Sequence, residues 1–278
     1  MATLIGGLAV SHVPAIGNAI ANKRQGEDYW RPFFDGLGPA RDWIQAQKPD
    51  VAVVLYNDHG LNFFLDKMPT FAVGAAESYA NADEGWGLPV LQPFKGDPAF
   101  SWRLIEALFA ADFDLTTCQE MRVDHGFCIP LSLFWPDGPP PVATVPISFN
   151  TVQHPIPSAK RCHHLGETLG RAIEADPSDK RVVVIATGGL SHQLEGERAG
   201  FMNPEFDRLC LDKLVSDPKA LTSYTGRELV GLAGSQGTEV LMWIAMSATM
   251  THGRKLVHQN YHIPISNTAA AVLAIENA

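Results

Sequence analysis

The run VVVIATGG, Val182–Gly189, followed at once by Leu190, Ser191 and His192, decides how this chain is read. Its β-branched, uniformly apolar stretch is too short for a typical helix and has the composition of a strand buried on both faces, as in a parallel sheet. The glycine pair ends it, so His192 is delivered just past a strand end. The same arrangement occurs twice more. Ala2–Val10 is a run of small and β-branched residues closed by the turn chemistry of Ser11, His12, Val13 and Pro14, and VAVVLYN, Val51–Asn57, stops at Asp58, His59 and Gly60.

Helical spacing separates these strands, at Leu37–Gln47, Pro98–Phe109, Ala159–Ala175, Pro204–Val215 and Gly237–Met250, the last with Glu239 in its first turn. The alternation predicts an α/β fold, a single domain over residues 1–278 whose central mixed, largely parallel sheet is flanked by helices. Ligands of such sheets collect outside strand ends, so the active site is expected there. In VDHGFCIPLSLFW, His125 is placed in a loop ahead of an apolar stretch. The prolines of PPPVATVPISFNT predict an edge strand, because proline removes ladder donors. LVHQNYHIPI reads as extended, and Ser266, Asn267 and Thr268 as the opening of a last, Ala-rich helix.

Composition narrows the function classes. The chain has 278 residues, 46% hydrophobic and 18% charged, with a mean hydropathy of -0.02, as in ordinary soluble globular proteins. A formal net charge of -9 without clustered Lys and Arg argues against nucleic acid as a partner. An anionic substrate would have to be held by a local donor cluster against the overall field. Cys118, Cys128, Cys162 and Cys210 form no CxxC pair and suit a reduced cytoplasmic interior. The apolar start lacks the basic n-region of a secretion signal and is broken by His12 and Pro14. No run reaches the ~18 apolar residues of a membrane span, so no membrane role is expected. Gly189, Leu190, Ser191, His192 and Gln193 approach a nucleophile elbow, but Gln193 stands where the final glycine is needed. Dinucleotide-binding and phosphate-loop signatures are missing.

Two histidines at separate strand ends, His12 and His59, with the carboxylate of Glu239 at a helix start make a candidate facial triad of the kind that leaves positions open on non-haem iron(II). Spacing alone does not establish it. The chain has ten histidines, an isolated one usually being a hydrogen-bonded core or surface residue, and an acid in a first helical turn is favoured by the helix dipole. By the same standard one or both of His163 and His164 read as solvated on a helix, and His258 and His262 as packing beside the pocket. His154 reads as a turn residue and His252 as part of a helix end. Trp30, Phe33, Phe34 and Trp86 read as core or subunit contact.

Taken in order, AVSHVPAIG, VVLYNDHG, VDHGFCIPL, QHPIPSAKRC, ATGGLSHQL, GSQGTEVLMW and YHIPISNTAAAV cover nearly the whole chain. Together they resemble the class III (LigB-type) extradiol ring-cleavage dioxygenases, with most similarity to the catalytic β subunits of the protocatechuate 4,5-cleaving members. The resemblance implies that His12, His59 and Glu239 bind Fe(II), and that His192 is the acid/base residue which takes a proton from the diol and later returns it. It further implies that His125 helps position a substrate hydroxyl or oxygen, and that Ser266, Asn267 and Thr268 contact the ring carboxylate. The residue types suit the chemistry. Two neutral imidazoles and one carboxylate lower the charge on a ferrous ion from two to one while leaving room to chelate a diol, and histidine can exchange protons near neutral pH.

The function so implied is opening of a carboxylated catechol by O2 in aromatic catabolism, with protocatechuate as the expected substrate. Gallate, 3-O-methylgallate or another substituted catechol is the alternative. A metal-dependent hydrolase on the same scaffold is a further one, since His, His and Glu also suit catalytic zinc, and a non-catalytic scaffold subunit is a third. The expected partners are a small aromatic diol acid, O2, and a small α subunit in a homo-oligomer of α2β2 type.

Overall fold

A computed structural model describes residues 1–85 and 87–278, with the backbone alone at Pro264. Trp86, read above as core or subunit contact, lies outside the described residues. In chain order the strands are β1 (Thr3–Val10), β2 (Val51–Tyr56), β3 (Phe71–Gly74), β4 (Ser78–Asn81), β5 (Phe94–Lys95), β6 (Thr116–Cys118), β7 (Arg122–Val123), β8 (Ala143–Phe149), β9 (Arg181–Thr187), β10 (Lys255–Ile265) and β11 (Thr268–Glu276). The helices are α1 (Pro14–Ala21), α2 (Arg31–Gln47), α3 (Pro98–Phe109), α4 (His125–Phe134), α5 (Ala159–Ala175), α6 (Pro204–Ser216), α7 (Gly226–Ala233) and α8 (Val240–Ala248).

Among the described residues the main sheet has eight strands in the order β10-β11-β1-β9-β2-β8-β3-β6. Its centre, β1-β9-β2-β8, is parallel, and antiparallel pairs join β11 to β1 and β3 to β8. The fold is therefore the α/β class expected, with a mixed sheet and helices on both faces. Alternation along β2 shows the two layers directly. Val51, Val53 and Leu55 pack with Leu104, Leu165, Leu211 and Trp243 of α3, α5, α6 and α8. Ala52, Val54 and Tyr56 face Ile16, Phe33, Leu37 and Phe127 of α1, α2 and α4. With both faces covered, the central strands can be apolar throughout.

Three elements differ from their sequence reading. The β8 strand is interior, between β2 and β3, and wholly buried. Its Pro146 is tolerated because the β3 ladder runs only from Phe71–Phe149 to Val73–Ile147, so the proline falls just past the last pair on that side. The Ala-rich end of the chain is the strand β11, hydrogen-bonded between β10 and β1. Its alanines are fully buried, and tertiary pairing overrides their helical propensity. Third, His125 opens α4, with Asp124 as its N-cap accepting from the Gly126 N–H. The stretch from Gly237 begins as a 3-10 turn, Gly237–Glu239, before α8.

Parallel register aligns the strand ends. Val10 stands opposite Thr187, and Ala186 opposite Leu55. The residues that follow β1, β9 and β2 thus emerge side by side at one edge of the sheet. Among the described residues no helix is long and apolar enough to cross a membrane, and all four cysteines are free.

Candidate metal centre and active site

At that edge His12, His59 and Glu239 meet. His12 Nε2 lies 3.3 Å and His59 Nε2 3.8 Å from the same oxygen, Glu239 Oε1. Donors about 2.1 Å from a common ion lie roughly 3.0 to 3.4 Å apart for octahedral or tetrahedral angles, so a small adjustment brings all three onto one metal. The side chains of His12 and Glu239 are each 5% exposed, whereas that of His59 is 26% exposed, so the centre is closed behind and open in front. His125 stands beside them, its ring centroid 4.2 Å from that of His59 and 5.4 Å from that of His12. Ring nitrogens of His12, His59 and His125 all fall within 4.8 Å of one another, so a three-histidine set is a second geometric option. His192 Nε2 lies 4.0 Å from the other carboxylate oxygen, Glu239 Oε2.

Each of the four imidazoles is tethered through Nδ1. His12 Nδ1 is 3.1 Å from Thr187 Oγ1, His59 Nδ1 3.1 Å from Asp124 Oδ2, His125 Nδ1 2.8 Å from Glu84 Oε1, and His192 Nδ1 3.0 Å from the Leu190 carbonyl. Three of these partners are carboxylate or carbonyl oxygens that can only accept, so His59, His125 and His192 donate from Nδ1. For a neutral ring this places the lone pair at Nε2.

Glu239 is fixed as firmly. The Gly189 N–H donates to Oε2 at 2.6 Å and the Asn57 amide to Oε1 at 3.0 Å. The approach requires glycine. Gly188 has φ +117, and a Cβ there would lie 2.7 Å from Glu239 Cβ, while one at Gly189 would lie 2.8 Å from His192 Cε1.

Electrostatics follow from burial and these contacts. Burial alone would raise the Glu239 carboxyl, but His12, His59 and His192 facing it hold it well below the usual range. Burial would likewise depress His59, yet Asp124, by charge and hydrogen bond, and then Glu239 lift it to about 10. Asp124 is correspondingly held near 2, the His59 charge outweighing the cost of burial. His125 is pushed below the ordinary value by burial and by the neighbouring His59. An ionised carboxylate surrounded by imidazoles, with the buried Asn57 Oδ1 left without a hydrogen-bond partner among the described residues, is a donor set suited to a divalent cation.

A cavity of about 740 Å³ opens in front of the centre. Phe63, Phe64, Leu65 and Met68 form an apolar wall, Thr151, Gln153, His154, Gln236, Ser266 and Thr268 supply polar groups, and Asp58 and Glu195 are acids on the same lining. Among the described residues no Lys or Arg lines it. Of the three residues expected to meet a substrate carboxylate, Ser266 and Thr268 face the cavity, and Asn267 is not among its lining residues. The turn is anchored by Tyr29, whose hydroxyl accepts from the Ser266 N–H at 2.9 Å, and by a bridge between Thr268 and His192.

Of the other histidines, His154 lines the cavity and the rest do not. His258 Nε2 donates to the Gly36 carbonyl of α2 at 2.6 Å, away from the cavity, and His262 is half-buried on the same strand. Of the pair expected to include a solvated residue, His164 is exposed, whereas His163 is buried, 3.7 Å from Glu167. Trp30 and Phe33 are core residues and Phe34 is half-buried. Sequence reasoning missed Asn57, Glu84, Asp124, Thr187 and Tyr29. Asn57 and Asp124 carried a signal, since each is a short polar residue within two positions of a site histidine; the others did not.

Known proteins resolve the family. Residues 6–273 match the family described as the catalytic LigB subunit of aromatic ring-opening dioxygenase. The chain belongs to the LigB family. It is 44% identical over 197 residues, 70% of its length, to a gallate dioxygenase of Pseudomonas putida KT2440, and this match spans 58% of that protein. It is 31% identical to a 2,3-dihydroxyphenylpropionate/2,3-dihydroxicinnamic acid 1,2-dioxygenase of Rhodococcus jostii RHA1 over 88% of the chain and 89% of the relative. The crystal structure of the uncharacterized protein JW3007 from Escherichia coli K12 superimposes with a TM-score of 0.54 at 16% identity, covering 98% of this chain and 99% of that one, and shares the fold.

Proposed function

We propose that this LigB-family chain is an iron(II)-dependent extradiol dioxygenase that opens the ring of gallate or a closely related trihydroxylated or methoxylated benzoate. The observation that carries the reading is the convergence of His12, His59 and Glu239 at one open-fronted centre, with His125 and His192 flanking it. The 44% identity to a gallate dioxygenase moves the substrate from protocatechuate, expected from the sequence, to its analogue with one more ring hydroxyl. The cavity suits a polyhydroxylated ring, because Thr151, Gln153, Gln236, Ser266 and Thr268 offer hydrogen-bond donors and acceptors against an apolar wall, with the acids Asp58 and Glu195 also among its lining.

In this reading His12, His59 and Glu239 hold the metal. Bound there, ferrous iron supplies a Lewis-acidic, redox-active centre for a chelated diol and dioxygen. His192, with Nδ1 committed to the Leu190 carbonyl, uses Nε2 to take a diol proton and return it later in the reaction. His125 orients the neighbouring hydroxyl. Phe63 and Met68 flank the ring, and Ser266 and Thr268 receive the carboxylate with neutral hydrogen bonds, Asn267 completing the turn. The exposed apolar residues Phe64, Leu65, Val152 and Leu194 around the cavity favour a second chain seated over the mouth. A small subunit in an α2β2-like assembly is the proposed cover.

Anaerobic reconstitution with ferrous ion, followed by oxygen uptake and product absorbance on gallate, 3-O-methylgallate, protocatechuate and 2,3-dihydroxyphenylpropionate, tests this. Oxygen uptake greatest with gallate or its methyl ether is expected. An iron-loaded protein inert toward all four diols would overturn the reading, and hydrolytic activity of a zinc-loaded protein would establish the hydrolase in its place.

A further inference from the structure

We infer that Glu84 is a positioning residue that sets the proton tautomer of His125, making its Nε2 a hydrogen-bond acceptor toward the substrate. The inference deepens the proposed function and rests on it for the role of His125, but not for the tautomer itself. Glu84 lies in the loop between β4 and β5, 41 residues before His125. Its two oxygens divide the work. Oε2 accepts from the His125 backbone N–H at 2.7 Å and Oε1 faces His125 Nδ1 at 2.8 Å. The Glu84 side chain is 13% exposed and that of His125 5%, so water competes little for either bond.

A carboxylate can only accept, so His125 presents a proton at Nδ1. The neighbouring carboxylate of Asp124 is already committed, Oδ2 to His59 and Oδ1 to the Gly126 N–H. With that proton at Nδ1, a neutral His125 carries its lone pair at Nε2, the atom that would accept from a diol hydroxyl. His192 is set in the same sense by the Leu190 carbonyl, which presents two acceptors to a substrate bearing adjacent hydroxyls. A diol, a double donor, would thus meet two imidazoles tethered to accept.

Glu84→Gln tests the assignment sharply, because it preserves shape and alters only which atoms can accept. The backbone N–H of His125 cannot change its role, so the amide oxygen is drawn to it and the amide nitrogen is placed against Nδ1. The ring proton is then driven to Nε2, where it opposes a hydroxyl donor. The direct readout is the pair of ring 15N shifts of His125 in metal-free, 15N-histidine-labelled protein, assigned by comparison with His125→Gln. In the native protein the shifts should mark Nδ1–H, and in Glu84→Gln they should exchange toward Nε2–H. In the iron-loaded enzyme Glu84→Gln should lower kcat by about ten- to a hundredfold, with the metal content unchanged and little further loss on adding His125→Gln. Native His125 shifts retained in Glu84→Gln, or a full further loss in the double variant, would overturn the inference. A native enzyme inert toward diols would instead fail the proposed function while leaving the tautomer measurement to stand or fall by itself.

Discussion

Asp124 Oδ2 accepts two hydrogen bonds from His59, one from its backbone N–H at 2.8 Å and one from Nδ1 at 3.1 Å, while Asp124 Oδ1 caps α4. One buried carboxylate therefore aims a metal-binding candidate and starts the helix that carries His125. Asp124→Ala should lower ferrous affinity by about ten- to a hundredfold and cost roughly 1 to 2 kcal/mol through the lost cap. Metal titration and urea unfolding measure the two effects separately. Unchanged metal affinity in a folded variant would remove Asp124 from the site.

His192 sits at the second oxygen of Glu239, 4.0 Å away, with Nδ1 tied back to its own loop. Its proposed work is proton transfer, not ligation. His192→Phe should keep its iron and bind the diol, yet lose about 10²- to 10⁴-fold in kcat. Iron content, anaerobic diol binding and single-turnover kinetics check this. Loss of the metal would make His192 a ligand.

Gly188 tests the carboxylate's seat. With φ +117 and a Cβ that would fall 2.7 Å from Glu239 Cβ and 3.0 Å from its Oε2, Gly188→Ala is strained twice over. The variant should bind ferrous ion at least tenfold more weakly while its far-ultraviolet spectrum stays native. Native metal affinity would show that Glu239 can move without consequence for the centre.

Asp176 supplies a pH-dependent element remote from the site. Its side chain is 1% exposed and accepts from Arg103 of α3 and from Ser178, just after α5 ends. Burial would raise its pKa, but the Arg103 and Ser178 hydrogen bonds outweigh burial and hold it below its ordinary value near 3.8. A depressed carboxyl contributes stability that is complete above its unfolded pKa and is lost as pH falls through the folded one. Asp176→Asn should therefore cost about 1 to 3 kcal/mol at neutral pH, and the gap from the native protein should narrow below pH about 4. A gap independent of pH in thermal melts would assign the loss to packing.

The sequence was most legible where local rules and the fold agree. Apolar runs bounded by glycine or turn residues located β1, β2 and β9, and their parallel register explains why three histidines far apart in the chain share one edge. Where pairing decides, composition misled. Pro146 suggested an edge because the end of the β3 ladder at Ile147, one residue short of the proline, could not be seen, and Ala269–Ala271 suggested a helix because burial between β10 and β1 leaves no mark on a single segment. Glu84 and Tyr29 were invisible for another reason. Each acts on a residue 41 or 237 positions away through a contact made only by the assembled fold, and neither lies in a motif.

The Tyr29 contact yields the last test. Its hydroxyl accepts from the Ser266 N–H at the turn between β10 and β11, where Ser266 has φ +55. A non-glycine residue in that region is held there by its surroundings, and the Tyr29 hydroxyl is part of them. Tyr29→Phe removes one neutral hydrogen bond, about 0.5 to 1.5 kcal/mol, without touching the proposed metal ligands. The diol KM should rise roughly two- to tenfold while kcat and iron content hold. If Ser266 and Thr268 receive the ring carboxylate, the increase should shrink for a catechol that lacks one. An equal increase for both diols would mean that this turn shapes the cavity without reading the carboxylate.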